Sequence, residues 1–386
     1  MRDVVIAGIG QVPVREYWDV PLRTLAHRAI KAALFDAGDL KPQALYIGNF
    51  IGSMVSHQTN LGSVLVTNSG LDGIESFTVE AAGAAGAGAL RQGYLAVKSG
   101  YIDVALVVGV EKITDKGSSD VEEFVSQGGD YDYESLAGLS AAAQAGLLMR
   151  RYMHEYKVER SDFAGFPMLA YQNALNNPNA YYRRELTKDT YINAGMVCDP
   201  LSNYDIAPFA DGAAAVVLTS SELNKSKLPH PLIRVIGSNV VVDAMALHDR
   251  PDPLAFQAVN ISTGRACSQA QVNAHEVDLF ELDDAFSIYA VLTLEAAGYA
   301  KRGEGWKLAK DGFLSLKGDL PICTMGGSKA RGNSLGATGV YQVVEASMQL
   351  RGEAGANQVK DAKKALVQSL GGPATTVVTH ILEGVD

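Results

Sequence analysis

Residues 78–115 read TVEAAGAAGAGALRQGYLAVKSGYIDVALVVGVEKITD, and this stretch decides the fold. A short β-branched segment runs into a turn of alanine and glycine. An alanine-rich helix follows the turn, and a strand of valine and leucine comes after the helix. This pattern is typical of an active-site elbow, a turn that delivers one residue to the start of a buried helix. The residue that this elbow delivers is Gly83, which has no side chain.

The rest of the chain repeats the alternation of strands and helices, which predicts an α/β protein with helix-covered sheets. A glycine-rich turn again opens a helix in MGGSKARGNSLGATGVYQVVEASMQL, residues 325–350, and this echo indicates a duplicated α/β unit. We predict an N-terminal half over residues 1–225 and a C-terminal half over residues 226–386. Residues 116–199 are richer in tyrosine, asparagine and arginine, which predicts an inserted region of loops and helices that covers the core.

Composition limits the partners of this chain. Its 386 residues include 33 Lys and Arg against 43 Asp and Glu, a net charge of −10 at pH 7, and no basic run. We therefore expect neither nucleic acid nor an anionic membrane surface as a partner. The three cysteines form no pair with metal-binding spacing, which predicts a reducing cytoplasm and no metal site. No apolar run reaches the roughly 18 residues of a membrane-spanning helix.

A family resemblance rests on motifs that occur in order along the chain: VEAAGAAGAGALRQGYLAVKSGYIDVALVVGVEKITD, IAPFADGAAAVVLTSS, LFELDDAFSIYAVLTLEAAGY, GGSKARGNSLGATGVYQVVEASMQLRGEAGANQV and SLGGPATTVVTHILE. From Val4 to Glu383 the chain resembles the thiolases, most closely the archaeal and sterol-carrier-protein-type branch of acetyl-CoA acetyltransferases and their relatives. The resemblance implies a thiolase fold, in which two duplicated halves form a five-layered αβαβα core. It also implies a homodimer and a coenzyme A (CoA) thioester as ligand.

The resemblance implies that the residues at the family's catalytic positions differ in this chain. In the frame VEAACASGxxAL the cysteine that attacks an acyl-CoA falls on Gly83, and in GGxxARGHPxGATG the histidine falls on Asn333. Asp283 stands where HDAF or NEAF has a residue that helps to hold the thioester oxygen. Ser369 in SLGG matches the second cysteine, the acid/base of many thiolases. Glycine offers no nucleophile and asparagine takes no proton near neutral pH, so we expect no acyl-enzyme at residue 83.

The groups that stabilise negative charge are expected to remain. By resemblance, the N–H of Gly83 and that of Gly371 or Gly372 form the oxyanion site. The Asn333 amide would donate to a thioester carbonyl, and Asp283 would act as a general base if its carboxylate is partly desolvated. We also expect a space about the size of a cysteine side chain beside Gly83.

Contacts to CoA and to partner proteins are predicted with less direct evidence. We predict that Phe286, the last residue of the DDAF motif that begins at Asp283, contacts CoA. We predict the same for Arg150 and Arg151 because of their place in the inserted region. Members of the branch often pair with a small zinc-bearing OB-fold protein, so we predict such a partner here.

Three interpretations of function stay open from the sequence. The chain is an enzyme of non-covalent carbon–carbon chemistry (aldol, retro-aldol or Claisen type), or a catalytically silent subunit that binds acyl-CoA or scaffolds a complex. As an ordinary acetyl-CoA acetyltransferase it would need another residue to take the acyl group. Simple structural roles also fit: Asp283 and Asp284 as helix caps, Gly83 as a tight turn, and Cys323 as a core residue rather than a relocated nucleophile.

Overall fold

The computed structural model describes residues 2–38, 40–222 and 228–385, which form a mixed α/β fold. The predicted boundary between the halves, at residues 225 and 226, lies outside the described residues. None of the described helices is long and apolar enough to cross a lipid bilayer.

The strands are β1 (Val4–Gln11), β2 (Ala44–Gly48), β3 (Glu75–Val79), β4 (Val104–Glu111), β5 (Met196–Cys198), β6 (Leu201–Ser202), β7 (Gly212–Ser220), β8 (Leu232–Val242), β9 (Leu279–Glu281), β10 (Lys364–Gly371) and β11 (Thr376–Val385). The α-helices are α1 (Leu22–Asp36), α2 (Gly52–Val55), α3 (Leu61–Asn68), α4 (Ala85–Ser99), α5 (Ser118–Ser126), α6 (Ala141–Tyr156), α7 (Gly165–Ala174), α8 (Lys188–Ile192), α9 (Gln257–Ala270), α10 (Ser287–Ala296) and α11 (Thr338–Arg351).

A nine-stranded sheet runs through both halves in the order β3-β2-β4-β7-β1-β8-β11-β10-β9. The first strands of the two halves, β1 and β8, meet through the antiparallel pairs Val5 with Arg234 and Ile6 with Ile233. From this junction the strand order repeats outward, as β1-β7-β4-β2 on one side and β8-β11-β10-β9 on the other. The repeated order confirms the predicted duplication.

Helices α4 and α11 lie between the two parts of the sheet, because each contacts strands of both halves. Helix α1 packs against β1, β7 and β4, and α9 packs against β8 and β11. The layers therefore follow the predicted order αβαβα. Glycines let the central helices approach closely: a Cβ atom added to Gly86 on α4 would lie 2.6 Å from the carbonyl oxygen of Gly336, just before α11.

The two halves differ most in one connection. Strands β10 and β11 are neighbours joined by residues 372–375, whereas the equivalent neighbours β4 and β7 are separated by residues 112–211. That long connection contains α5 to α8 together with the small β5–β6 sheet. The region predicted as an insertion, residues 116–199, lies within it, and its helix α6 packs against α10 of the C-terminal half.

Candidate active site

The predicted elbow is present at the start of α4. Strand β3 ends at Val79, and a 3₁₀ turn over Ala82–Ala84 precedes the helix. Ala82 has a φ of +48°, a left-handed conformation that is unfavourable for a residue with a side chain. The N–H of Gly83 has no hydrogen-bond partner among the described residues, so it is free to bind a ligand.

A cavity lies in front of this elbow, with an empty volume of about 750 Å³ that includes its open mouth. Residues of both halves and of the long connection line it. The cavity brings together the predicted site residues Gly83, Asp283, Phe286, Asn333 and Gly372. These residues are far apart in the sequence, and only the duplicated fold places them side by side.

Asn333 presents its amide nitrogen to the cavity. Its Oδ1 accepts hydrogen bonds from the N–H of Leu335 at 3.0 Å and from the hydroxyl of Thr338 at 3.2 Å. Because the backbone N–H of Leu335 can only donate, the atom that it contacts must be the amide oxygen. Nδ2 has no partner in the described part of the chain, which leaves an amide donor available to a ligand.

Asp283 is a buried carboxylate with only 6% of its surface exposed. Its Oδ1 accepts the N–H of Ala285 at 2.9 Å, and its Oδ2 accepts the N–H of Leu370 at 3.4 Å. Burial raises the pKa of Asp283 to about 6, and the nearby charge of Asp284 acts in the same direction. At neutral pH Asp283 is therefore ionised but holds a proton more tightly than an ordinary aspartate, as a general base requires.

Neither aspartate of the DDAF motif caps a helix. Helix α10 begins at Ser287, and its N-cap residue is Phe286, which makes no side-chain capping bond. The carboxylate of Asp284 instead accepts the N–H of Ser328 at 2.6 Å. Asp284 thus holds the glycine-rich segment that contains Ser328 by a hydrogen bond to its main chain, while Asp283 lines the cavity.

The space beside Gly83 differs from the expectation. A Cβ atom built on Gly83 would lie 2.6 Å from the main-chain oxygen of Leu370, closer than real Cβ atoms come to other atoms. The prediction of a cysteine-sized space beside Gly83 is therefore wrong, because the carbonyl group of Leu370 lies where the Cβ atom of a side chain would begin. A glycine at position 83 permits this close approach of two main-chain segments.

The last glycine-rich turn reaches the cavity through Gly372, which lines it with a φ of +60°. Gly371 does not line the cavity, and a Cβ atom on it would lie 2.4 Å from the oxygen of Ala81. Ser369 is fully buried, and its hydroxyl donates to Oε1 of Gln342. The structure therefore does not bring Gly371 and Ser369 to the cavity with the other predicted site residues.

The predicted CoA contacts Arg150 and Arg151 also lie elsewhere. Both are exposed on α6, where Arg150 pairs with Asp199 and Arg151 pairs with Glu155 at 3.0 Å. The buried face of α6 carries Leu148, Met149 and Tyr152 among others, so the two arginines face away from the core and do not line the cavity.

Four polar side chains of the cavity wall were missed by the sequence analysis, namely Glu122, Gln144, Tyr289 and Thr338. The hydroxyl of Tyr289 makes no hydrogen bond to a described residue, and burial together with the charge of Asp283 raises its pKa. The available signal was its position six residues after Asp283 in the same motif. Glu122 lies on α5 in the segment SSDVEEFVS, which carries no motif.

No cysteine of the described chain lines the cavity. Cys323 is buried, its thiol donates to the carbonyl oxygen of Leu282 at 3.7 Å, and burial raises its pKa. A thiol in this state is a weak nucleophile, so Cys323 is a core residue. Cys198 and Cys267 are also free thiols outside the cavity. No cluster of His, Cys, Asp and Glu in the described regions is arranged to hold a metal ion.

Comparison with known families agrees with the fold. Residues 4–222 match the family described as thiolase, N-terminal domain, and residues 239–384 match the thiolase C-terminal domain-like family. This chain belongs to the thiolase family. Thiolases act on CoA thioesters, and the cavity at the elbow of α4 is therefore the candidate active site of a thiolase-family protein.

Individual thiolase relatives carry different activities in their names. The acetyl-CoA acetyltransferase of Methanothermobacter thermautotrophicus is 37% identical over 385 residues, which cover 99% of each chain. Benzoylsuccinyl-CoA thiolase subunit BbsB of Thauera aromatica is 29% identical over 381 residues, which cover 96% of this chain and 95% of that protein. The solved structure of the Ltp2-ChsH2(DUF35) aldolase has a TM-score of 0.86 at 25% identity and covers 99% of this chain and 98% of that chain.

Proposed function

We propose that this protein makes or breaks a carbon–carbon bond on a CoA thioester without forming an acyl-enzyme. One observation carries the proposal: the cavity combines a buried carboxylate, Asp283, with unpartnered donors at Gly83 and Asn333, but it has no cysteine. A base beside oxyanion donors is suited to enolate chemistry, whereas acyl transfer through the enzyme requires a nucleophile.

The proposed reaction begins when the Asp283 carboxylate takes a proton from the α-carbon of the acyl-CoA. The electron pair of that C–H bond moves into the thioester, whose oxygen becomes an enolate oxygen. The N–H of Gly83 and the amide of Asn333 donate hydrogen bonds to this oxygen and stabilise it. The enolate carbon then adds to a carbonyl carbon of a second compound, the carbonyl π-pair moves to its oxygen, and this oxygen takes a proton from an acidic group of the site to give a β-hydroxyacyl-CoA. The reverse direction is a retro-aldol cleavage.

Two other functions compete with this one. The 37% identity to an acetyl-CoA acetyltransferase favours acyl transfer, but that reaction needs a side chain to carry the acyl group. The relative BbsB is named as a subunit, which favours a role as a binding subunit without catalysis. The carboxylate at Asp283 argues against a silent subunit, since a buried carboxylate with a raised pKa beside a cavity is typical of a functional site.

We also propose that the protein assembles with partners in the cytoplasm. Strand β3 is an edge strand of the sheet, and Phe77 on it is 64% exposed, which supports a homodimer formed through this edge. The solved aldolase contains a second component, ChsH2(DUF35), which supports the predicted small zinc-bearing OB-fold partner. Free thiols at all three cysteines agree with a reducing compartment.

The test is hydrogen exchange at the α-carbon. The purified protein, with any co-purifying partner, is incubated with acetyl-CoA in D₂O, and deuterium in the acetyl group is measured by mass spectrometry. We expect exchange by the unmodified protein and a loss of about 10²–10⁴-fold in Asp283→Asn. The exposed Asp311→Asn serves as the control and should exchange normally.

Intact mass and calorimetry separate the competing functions in the same samples. A stable acetyl adduct on any residue would contradict the non-covalent mechanism and favour acyl transfer. Binding of acetyl-CoA without exchange would favour the silent subunit. Absence of both binding and exchange would remove the first two interpretations together.

A further inference from the structure

Glu122 stands at the point where the cavity meets a larger surface groove. The cavity and the groove share the wall residues Glu122, Ile206, Ala207 and Phe209. Tyrosine rings line the groove farther out, including Tyr171, Tyr182 and Tyr204. A compound that approaches Gly83 through this groove must therefore pass the Glu122 carboxyl group.

The carboxyl group of Glu122 has an unused oxygen. Its Oε2 is buried and has no hydrogen-bond partner in the described ranges. Burial raises the pKa of Glu122, and no neighbouring cation or hydrogen-bond donor opposes that effect. The next residue on α5, Glu123, is exposed. Buried polar atoms in native proteins are nearly always hydrogen-bonded, so an unpartnered carboxyl oxygen beside a cavity calls for a partner from a ligand.

We propose that Glu122 is the acid that protonates the carbonyl oxygen of the compound to which the CoA enolate adds. In the cleavage direction it is the base that takes the proton of the β-hydroxyl group. This inference rests on the proposed function and extends it to the second substrate, an aldehyde or ketone that enters through the groove.

The proton and electron balance of the addition is complete with these two carboxyl groups. Asp283 takes the α-proton, and the resulting carbanion pair forms the new bond to the carbonyl carbon. The carbonyl π-pair moves to its oxygen, which takes the proton of the Glu122 carboxyl group. The product is a β-hydroxyacyl-CoA, with Asp283 left protonated and Glu122 ionised. Exchange with water returns both groups to their starting states.

The positions of the acidic groups assign their roles. Asp283 contacts the main chain of Leu370, which in turn lies against Gly83, so it lies beside the thioester end of the site. Tyr289, another hydroxyl of the wall, has its pKa raised by burial and by the charge of Asp283, which places it on that same side. Four described residues line both the cavity and the groove, and of these four Glu122 has the titratable side chain. It is therefore the one placed to reach the oxygen of the entering carbonyl compound.

The experiment measures two reactions in Glu122→Gln, with the exposed Glu123→Gln on the same helix as its matched control. The first is deuterium exchange into acetyl-CoA, which requires Asp283 and the oxyanion donors only. The second is release of acetyl-CoA from 3-hydroxybutyryl-CoA, 3-hydroxy-3-methylbutyryl-CoA or 3-hydroxy-3-phenylpropionyl-CoA, whichever the unmodified protein cleaves fastest. We expect Glu122→Gln to exchange within about threefold of the unmodified protein and to lose cleavage by about 10²–10⁴-fold.

The outcomes distinguish this inference from the function on which it rests. Cleavage by Glu122→Gln within tenfold of the unmodified protein overturns the role of Glu122 and leaves the proposed function standing. Loss of exchange and cleavage together, with acetyl-CoA binding retained, also overturns it, because a role confined to the carbonyl oxygen leaves exchange intact. If the unmodified protein neither exchanges nor cleaves, the proposed function itself fails. Partial recovery of cleavage in Glu122→Asp supports proton transfer over a purely structural role.

Discussion

The turn over Ala82–Ala84 in the N-terminal half has a counterpart over Leu335–Ala337 in the C-terminal half. Each turn begins with a residue other than glycine in a left-handed conformation, with φ of +48° for Ala82 and +41° for Leu335. A glycine follows in both, and a long central helix begins directly after the turn. The duplication has therefore preserved an unfavourable backbone conformation twice.

The two turns differ in what faces their glycine. The N–H of Gly336 donates to Oε2 of Glu111 at 3.1 Å, and this carboxyl group is the last side chain of strand β4. Strand β10, the counterpart of β4, ends instead at Gly371, which has no side chain. The N–H of Gly83 consequently has no hydrogen-bond partner among the described residues, and Gly83 lines the cavity.

The strand registers show a second difference between the halves, which is the position of a carboxyl group. Tyr46 pairs with Val107 in the first half, and Glu281 pairs with Val367 in the second half. Counting two residues onward makes Gly48 the counterpart of Asp283. In the N-terminal half, Glu111 accepts the N–H of Gly336 and so closes the turn of the C-terminal half. In the C-terminal half, Asp283 lines the cavity onto which the turn over Ala82–Ala84 opens, and we call this second turn the open turn. Glu111 is an internal ligand, and it shows that such a turn binds an oxygen acceptor.

Removing the internal ligand should have the largest effect on stability. In Glu111→Ala the N–H groups of Phe50, Ile51 and Gly336 lose their acceptor. Each buried donor left without a partner costs about 1–3 kcal/mol, so the loss of three partners should reduce the free energy of unfolding by roughly 3–9 kcal/mol. Urea denaturation measures this, and the exposed Glu123→Ala should change it by less than about 0.5 kcal/mol. A loss below about 1 kcal/mol in Glu111→Ala would mean that the closed turn does not depend on the carboxyl group.

Adding one methyl group to each glycine compares the turns directly. In Gly336→Ala the new Cβ would lie 2.7 Å from the nitrogen of Phe50 and 2.8 Å from Oε2 of Glu111, so we expect a loss of about 3 kcal/mol. In Gly83→Ala the new Cβ would lie 2.6 Å from one main-chain atom, the oxygen of Leu370, whose peptide unit must shift, so we expect a smaller loss of about 2 kcal/mol.

Activity should respond in the opposite way to these two substitutions. Gly83→Ala narrows the oxyanion site, and exchange into acetyl-CoA should fall at least tenfold, a loss of about 1.4 kcal/mol or more in transition-state stabilisation. The folded fraction of Gly336→Ala should exchange at nearly the normal rate. Equal losses of stability in both variants would contradict the distinction between a closed and an open turn.

The pH dependence of exchange tests the charge at the open turn. In the proposed mechanism the active base is the ionised Asp283, whose pKa burial raises to about 6. The exchange rate should therefore rise about tenfold per pH unit below pH 6 and level off above it. Each tenfold change in rate corresponds to about 1.4 kcal/mol in the activation free energy. Rates measured from pH 4.5 to 8 with acetyl-CoA give this profile. A rate that stays constant down to pH 5 would assign the base to a group of lower pKa.

Ser369→Ala should have the smallest effect. Ser369 occupies the strand position whose counterpart is Gly109, and its hydroxyl donates to Gln342 away from the cavity. Loss of this hydrogen bond should reduce the free energy of unfolding by about 1 kcal/mol and leave exchange within about twofold. A tenfold loss of exchange with normal stability would return Ser369 to the catalytic site.

The sequence predicted the site where main-chain motifs determine it. Gly83, Asn333 and Asp283 come together as expected, because each lies in a turn whose glycines and flanking residues fix the backbone. Ordered motifs of this kind also predicted the αβαβα layers. The repeated glycine-rich turn indicated the duplication, whereas the order of the strands was not predicted from the sequence.

Other features depend on tertiary packing that no local pattern contains. The approach of the Leu370 carbonyl to Gly83 joins two strand ends that are distant in sequence. Glu122 and Glu123 are adjacent glutamates in one short helix, and only the packing of α5 decides which of them turns toward the cavity. For Arg150 and Arg151 a local signal did exist, because helical periodicity puts both on the side opposite the face that carries Ala145, Met149 and Tyr152.

The part of the cavity wall that would face the thioester in the proposed reaction consists largely of main chain, supplied by Gly83, Leu370 and Gly372. Directed evolution acts on side chains, so it has little access to this surface without distorting the fold. New specificities must then come from the surrounding apolar residues, such as Phe50, Ile206 and Phe209. The same arrangement hinders the introduction of a thiol at position 83, because its Cβ atom fits only after the Leu370 peptide unit has moved away.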